Sequence, residues 1–239
     1  MISVLVERKM RMKSRFQPIV DVFANQSIIG YEATIRGDKN EPAEVLFDKA
    51  HKAGAVTELD KQAREMAIQY GMPGLKRNQL LFVNLSSYDL NFPENTDFHK
   101  LVIEITEHLE ITEAFAERLR ELRARGAQIA IDDFGKAHSN FKSFTQLPIS
   151  FLKMDKFFLR DLSPGSSSAS VIRSMVAMCQ ERGIKVIVEG VERVEQKEAL
   201  LNLNVRYMQG FYFGYPTARL LDTRHIQRGV TPVSSASRM

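Results

Sequence analysis

Short apolar runs and stretches of helical periodicity alternate along this chain, the pattern that βα units leave around a parallel sheet. Strand-like runs fall at Phe16 to Val22, at Ile28 to Ile35, and at about 80–84, 100–105, 127–132, 149–154, 184–189 and 205–208. Helical patterns occupy Pro42 to Ala53, Glu58 to Tyr70, 112–125, 140–147, 169–182 and 194–203. Only Phe23-Ala24-Asn25-Gln26-Ser27 separates the first two strands, too few residues for a crossover helix. They are therefore expected to pair antiparallel as a hairpin. Eight strands in 239 residues fit a TIM-like (β/α)8 barrel, which typically takes roughly 250. Leu162-Ser163-Pro164-Gly165-Ser166-Ser167-Ser168 reads as a mobile loop inside one βα unit, because the strand rhythm continues on both sides of it.

Composition narrows the partners. A hydrophobic fraction of 44% supports a sizeable core, and the net charge of +4 is spread among mixed acids and bases, so no basic stripe argues for nucleic acid. The exception is the basic run from Arg8 to Arg15. The organisation expected is a basic arm over 1–13, a barrel over 14–219, and a tail over 220–239 that is Ser-rich and disordered from Val230. The single cysteine, Cys179, falls in an amphipathic helix and excludes a disulfide framework. No apolar run approaches the ~18 residues that span a bilayer, and the N-terminus lacks a signal-peptide apolar region, so a soluble cytoplasmic protein is expected.

The candidate chemistry stands at the strand ends. Gln128-Ile129-Ala130-Ile131 runs into Asp132-Asp133-Phe134-Gly135, Leu80-Leu81-Phe82-Val83 into Asn84, Leu101-Val102-Ile103 into Glu104, Phe151-Leu152 into Lys153, and Val186-Ile187-Val188 into Glu189. In a barrel, functional side chains gather at the C-terminal ends of the strands. Glu32, Asn84, Glu104, Asp132, Asp133 and Glu189 would then converge, and such a concentration of negative charge requires cations. Oxygen ligands without a Cys or His cluster favour Mg²⁺ or Mn²⁺ over zinc. Asp132 beside Asp133 allows one carboxylate to bridge two ions ~4 Å apart, an arrangement suited to in-line attack on a phosphodiester. Lys153 would place positive charge near the attacking water, and Glu189 is a candidate proton acceptor. Any one of these residues alone reads as a salt bridge or a cap; the set together does not.

Eight ordered motifs give the chain a family resemblance: Gln17-Pro18-Ile19-Val20, Tyr31-Glu32-Ala33-Thr34-Ile35-Arg36, Val83-Asn84-Leu85-Ser86, Glu104-Ile105-Thr106-Glu107, Asp132-Asp133-Phe134-Gly135, Lys153-Met154-Asp155, Glu189-Gly190-Val191-Glu192 and Gln209-Gly210-Phe211-Tyr212-Phe213. Over roughly Ser14 to Pro216 it resembles the EAL domain family of cyclic di-GMP phosphodiesterases. The resemblance implies a barrel with its first strand antiparallel to the others, two divalent cations, Mg²⁺ or Mn²⁺, hydrolysis of cyclic di-GMP to linear pGpG, and homodimerisation. It makes Glu32, Asn84, Glu104 and Asp132 ligands of one metal, with Asp132 and Asp133 serving the second. It makes Glu189 a base or further ligand, gives Lys153 a catalytic water to hold, and assigns Gln17, Arg36 and Gln209 to the substrate. Glu107 joins the catalytic set by tethering the loop after Asp133, and Glu192 stands behind it.

Three departures bear on rate. Thr34 replaces the family's signature Leu, no Trp follows Arg36, and Lys136-Ala137-His138-Ser139-Asn140 stands where Tyr-Ser-Ser is usual after a small residue. His138 is read as filling the aromatic position of that loop rather than ligating metal. With no cyclase or sensor segment in the sequence, regulation is expected through the dimer, a separate regulatory protein or expression. Two rival readings remain open: a non-hydrolytic cyclic di-GMP receptor or docking module on the same fold, and an enolase-type Mg²⁺ barrel enzyme.

Overall fold

Period-2 alternation within the strands gives this sheet two different faces, and its closure follows from the order of the strands. In the computed structural model, which describes residues 11–106, 109–136, 141–223 and 226, eight strands form a closed barrel in sequence order. They are β1 (Met12–Asp21), β2 (Ser27–Gly37), β3 (Leu80–Leu85), β4 (Leu101–Ile105), β5 (Gln128–Phe134), β6 (Phe151–Met154), β7 (Lys185–Val188) and β8 (Tyr207–Gln209). The helices are α1 (Ala43–Ala53), α2 (Val56–Gly71), α3 (Glu113–Ala124), α4 (Phe141–Gln146), α5 (Ser167–Glu181) and α6 (Val194–Asn202). β1 pairs antiparallel with β2 and with β8, whereas every other neighbouring pair is parallel. The expected hairpin is present. Asn25 and Gln26 take left-handed φ of 52° and 56° in its turn, and Asp21 Oδ1 accepts from the backbone N–H of Phe23 and Ala24 at 3.0 and 3.1 Å.

Inward-facing Ile19, Phe82, Val102, Ala130, Phe151 and Ile187 form a dry layer across the barrel. The Phe82 and Phe151 rings meet edge-on at 5.1 Å. Gly30 of β2 leaves room for that layer, since a Cβ there would lie 3.0 Å from the Phe82 ring and 2.5 Å from the Leu80 carbonyl oxygen. The outer face packs on the helices through residues such as Tyr31, Leu81, Ile103, Ile129, Leu152 and Val188. Burying each such side chain contributes about 1.5–3 kcal/mol.

Several boundaries shift by a few residues, as three of them show. β1 begins at Met12, inside the segment expected as an arm, and pairs from Met12 opposite Gly37 onward. The Ser-rich stretch expected as a mobile loop through Ser168 is shorter: Ser166 caps α5, its Oγ accepting from Ala169 N–H at 3.2 Å, and the helix starts at Ser167. The last strand covers Tyr207–Gln209 rather than 205–208. Residues 1–10 and the tail from 227 lie outside the described residues. Among the described residues no helix is long and apolar enough to cross a membrane.

Cys179 sits fully buried on the inner side of α5, and burial pushes its thiol up to about 11. A thiol in that state carries almost no thiolate at neutral pH. The folded protein is therefore expected to resist DTNB at pH 8 and to release one thiol equivalent only in denaturant. Rapid labelling of the native protein would contradict this burial.

Candidate functional site

The site follows from strand arithmetic. Side chains two residues apart point the same way, so each inward residue of the dry layer is followed by another inward residue nearer the C-terminal end. Phe82 is followed by Asn84, Val102 by Glu104, Ala130 by Asp132, Phe151 by Lys153 and Ile187 by Glu189. Glu32 stands two beyond Gly30, and Gln209 two beyond Tyr207. Because β1 runs the opposite way, its contribution comes two residues before Ile19, at Gln17. A polar ring thus sits directly on an apolar floor.

Lys153 holds the centre of that ring. Its side chain is 1% exposed, and Nζ lies 2.6 Å from Glu104 Oε1, 2.8 Å from Glu189 Oε1, 3.0 Å from Asp132 Oδ1 and 3.1 Å from Glu32 Oε2. Around it, Asn84 Nδ2 donates to Glu32 Oε1 at 3.3 Å, and Gln209 Nε2 donates to Glu32 Oε2 at 2.7 Å and to Gln17 Oε1 at 3.1 Å. Gln17 Nε2 in turn donates to the Gly214 carbonyl at 3.1 Å. Asp133 departs from the strand with a left-handed φ of 55°, which turns its carboxylate to Lys136 Nζ at 2.9 Å. Ligand oxygens of Asp132, Asp133 and Glu189 nonetheless all lie within 4.8 Å of one another.

The charge is unbalanced. Glu32, Glu104, Asp132 and Glu189 share one ammonium. Burial pushes Glu104 well above the usual carboxylate range, and the Lys153 charge offsets only part of it. Asp132 is raised for the same reason, and Glu189 is pushed up to about 8 by burial, with Asp132 and Glu32 adding repulsion. Burial would raise Glu32 too, but Lys153 together with hydrogen bonds from Gln209 and Asn84 holds it below its ordinary value. Lys153 is buried as well, yet its acidic neighbours keep it well above an ordinary lysine.

These residues fit a hard divalent cation. The donors are oxygens. Among the described residues Glu104 Oε2 is buried with no hydrogen bond, while Oε1 meets only the Lys153 ammonium at 2.6 Å. A buried, donorless carboxylate oxygen is a costly group that a cation would satisfy.

The structure brings Glu32, Asn84, Glu104, Asp132, Lys153, Glu189, Gln17 and Gln209 together. Arg36 lies farther up β2, half-buried, with Nη1 donating to the Ile35 carbonyl at 3.0 Å. Glu107, His138 and the rest of 137–140 lie outside the described residues. A cavity of about 360 Å³ opens beside the ring, lined by Glu32, Thr34, Asn84 and Asp133 together with Phe47 of α1 and Arg64 of α2. Its wall includes two residues that the sequence reading did not single out, Asp60 and Arg64. The available signal was a pair of opposite charges four apart on the face of α2 that also carries Leu59, Ala67 and Ile68.

The EAL domain family model matches residues 2–216. The bifunctional diguanylate cyclase/cyclic di-GMP phosphodiesterase MucR of Pseudomonas aeruginosa is 30% identical over 84% of this chain and 32% of its own length. The chain spans about a third or less of the length of the curated relatives it matches. Among solved structures, the PaMucR phosphodiesterase in its c-di-GMP complex superposes with a TM-score of 0.75 at 28% identity, covering 87% of this chain and 97% of that one. Klebsiella pneumoniae BlrP1 in a manganese and cyclic di-GMP complex gives a TM-score of 0.77 at 26% identity, covering 88% of this chain and 57% of that one.

Proposed function

Because the chain belongs to the EAL domain family, we propose that it is a phosphodiesterase that hydrolyses cyclic di-GMP to linear pGpG with two divalent cations, Mg²⁺ or Mn²⁺. The observation that carries this reading is the convergence of Asp132, Asp133 and Glu189 within 4.8 Å, beside the buried, donorless Oε2 of Glu104. Glu32, Asn84, Glu104 and Asp132 would hold one cation, and Asp132 with Asp133 the other. Cations bound there supply Lewis acidity to the phosphodiester and acidify water. The chain's own groups do the rest. Lys153 Nζ would hold the attacking water and offset charge developing on the phosphoryl oxygens. Glu189 Oε1, 2.8 Å from that ammonium, would accept the water's proton once the cations keep it ionised. The Gln17 and Gln209 amides and the Arg36 guanidinium would bind guanine and phosphate, and Glu107 would steady the loop after Asp133. A homodimer in a reducing cytoplasm completes the reading, one that the lone buried thiol suits.

Incubation of the full chain with cyclic di-GMP and Mn²⁺, followed by chromatography, is expected to yield pGpG. Glu189→Gln keeps size and removes charge, so binding is expected to persist while cleavage falls by roughly 10² or more. Wild-type turnover in that variant would assign Glu189 a structural role. Binding by the unmutated protein with no product over hours would establish the receptor instead.

Thr34 is half-buried and lines the cavity with Glu32, as do its neighbours Ala33 and Ile35, which are buried against the helices. Its hydroxyl replaces a packing group and not a ligand. Thr34→Leu is expected to change the rate of pGpG formation by less than about tenfold, or roughly 1.4 kcal/mol in the barrier. A variant that turned an inert protein into a full enzyme would show Thr34 to be an inactivating residue.

A further inference from the structure

Asn84 is the last inward residue of β3, and its one side-chain hydrogen bond among the described residues is the 3.3 Å contact with Glu32. What fixes it is the chain beyond it. Immediately past the strand, Ser86 N–H donates to Asp60 Oδ1 at 3.0 Å, and Ser87 Oγ donates to Asp60 Oδ2 at 2.6 Å. Arg64, one turn along α2, pairs with the same Asp60 Oδ2, and its Nη2 donates to the Asp89 carbonyl at 2.7 Å and to Asp89 Oδ2 at 3.2 Å. Asp60 is 1% exposed and Arg64 2%.

We propose that Asp60 and Arg64 are positioning residues: a buried clamp on α2 that holds the loop from Ser86 to Asp89 and thereby fixes Asn84 where a cation is taken up. The inference rests on the reading of Asn84 as a cation ligand. Stability alone does not account for the pair, because apolar residues of similar volume are commonly as stabilising as a buried ion pair. The rest of the buried face of α2 is Leu59, Ala67, Ile68 and Gly71, so the helix already packs without charge. Leucine at position 60 would leave a backbone N–H and a hydroxyl at the strand end with no partner, and the strand end free to shift. Groups standing behind metal ligands typically change metal affinity by 10–100-fold when removed, and a clamp acting through two residues of backbone belongs at the lower end of that range.

The test is Mn²⁺ uptake by the full chain, read from the EPR signal of free aqueous Mn²⁺, alongside thermal unfolding without metal. Asp60→Asn is expected to weaken Mn²⁺ binding by about tenfold. Ser87→Ala, which removes the hydroxyl's bonds to Asp60 Oδ2 and from Asp89 N–H and leaves the ion pair intact, is expected to weaken it less, in the same direction. Met175→Ala on α5 creates a core defect away from the site and serves as the matched control: for a comparable fall in Tm it is expected to bind Mn²⁺ like the wild type. If Asp60→Asn does not fold, Ser87→Ala carries the comparison. Unchanged Mn²⁺ affinity in the clamp variants, or equal weakening in Met175→Ala, would overturn the positioning role and leave the proposed function standing. A wild-type protein that takes up no Mn²⁺ would overturn both.

Discussion

EDTA is expected to abolish pGpG formation, and Mg²⁺ or Mn²⁺ to restore it, whereas Ca²⁺ is not. The ground is the ring around Lys153, where four carboxylates share one ammonium and, among the described residues, Glu104 Oε2 lacks a hydrogen bond. Such a cluster binds hard cations, and cations are what phosphodiester cleavage at neutral pH needs most. Calcium enters oxygen sites at ~2.3–2.6 Å with loose geometry, against 2.0–2.1 Å for Mg²⁺, so it fills the site without aligning the reactants. The assay is chromatographic detection of pGpG after dialysis and readdition. Full activity in excess EDTA would sink the two-cation reading.

Lys153→Met should have the largest effect on stability. In the metal-free protein the ammonium is the counter-charge for Glu32, Glu104, Asp132 and Glu189, all within 3.1 Å. Removing one partner of a buried ion pair costs about 3–5 kcal/mol, and in a chain of this size each kcal/mol lowers Tm by roughly 2–4 °C. Added Mn²⁺ should recover much of the loss, since the same oxygens regain a positive partner. The pH dependence has a definite sign. Glu104, Asp132 and Glu189 are raised in the folded state, Glu189 to about 8, and return to ordinary carboxylate values on unfolding. Between those values the folded form binds more protons, so their contribution makes stability rise as pH falls from about 8 toward 5. Thermal melts across that range, with and without Mn²⁺, check both statements. A variant as stable as the wild type in EDTA at pH 8 would show that the ammonium does not hold the ring together.

Much of this molecule was legible because strands announce themselves twice, by apolar composition and by the residue that ends them. Asn84, Glu104, Asp132, Lys153 and Glu189 could be picked out as strand-terminal polar residues, and the five-residue gap after Val22 identified the antiparallel hairpin. Spacing says which face a side chain takes and nothing of how far it reaches. Lys153 was expected beside the chemistry, whereas its four-carbon stem carries Nζ to the middle of the carboxylates. The Asp60–Arg64 clamp was hidden for a related reason: opposite charges four apart on a helix normally mark a solvated face, and here the pair is turned inward. Ser166 was lost among its serine neighbours, because composition alone cannot tell a cap from a loop.

The dry layer beneath the polar ring makes the site a well and not a tunnel. Ile19, Phe82, Val102, Ala130, Phe151 and Ile187 are each completely buried, so side chains fill the barrel there as in a packed core and not a pore. Water, ions, substrate and product must therefore all use one opening. If the chain is the enzyme proposed, a product slow to leave would bar the next substrate from entering, so traffic through the mouth, and not only events at its base, would set a ceiling on turnover.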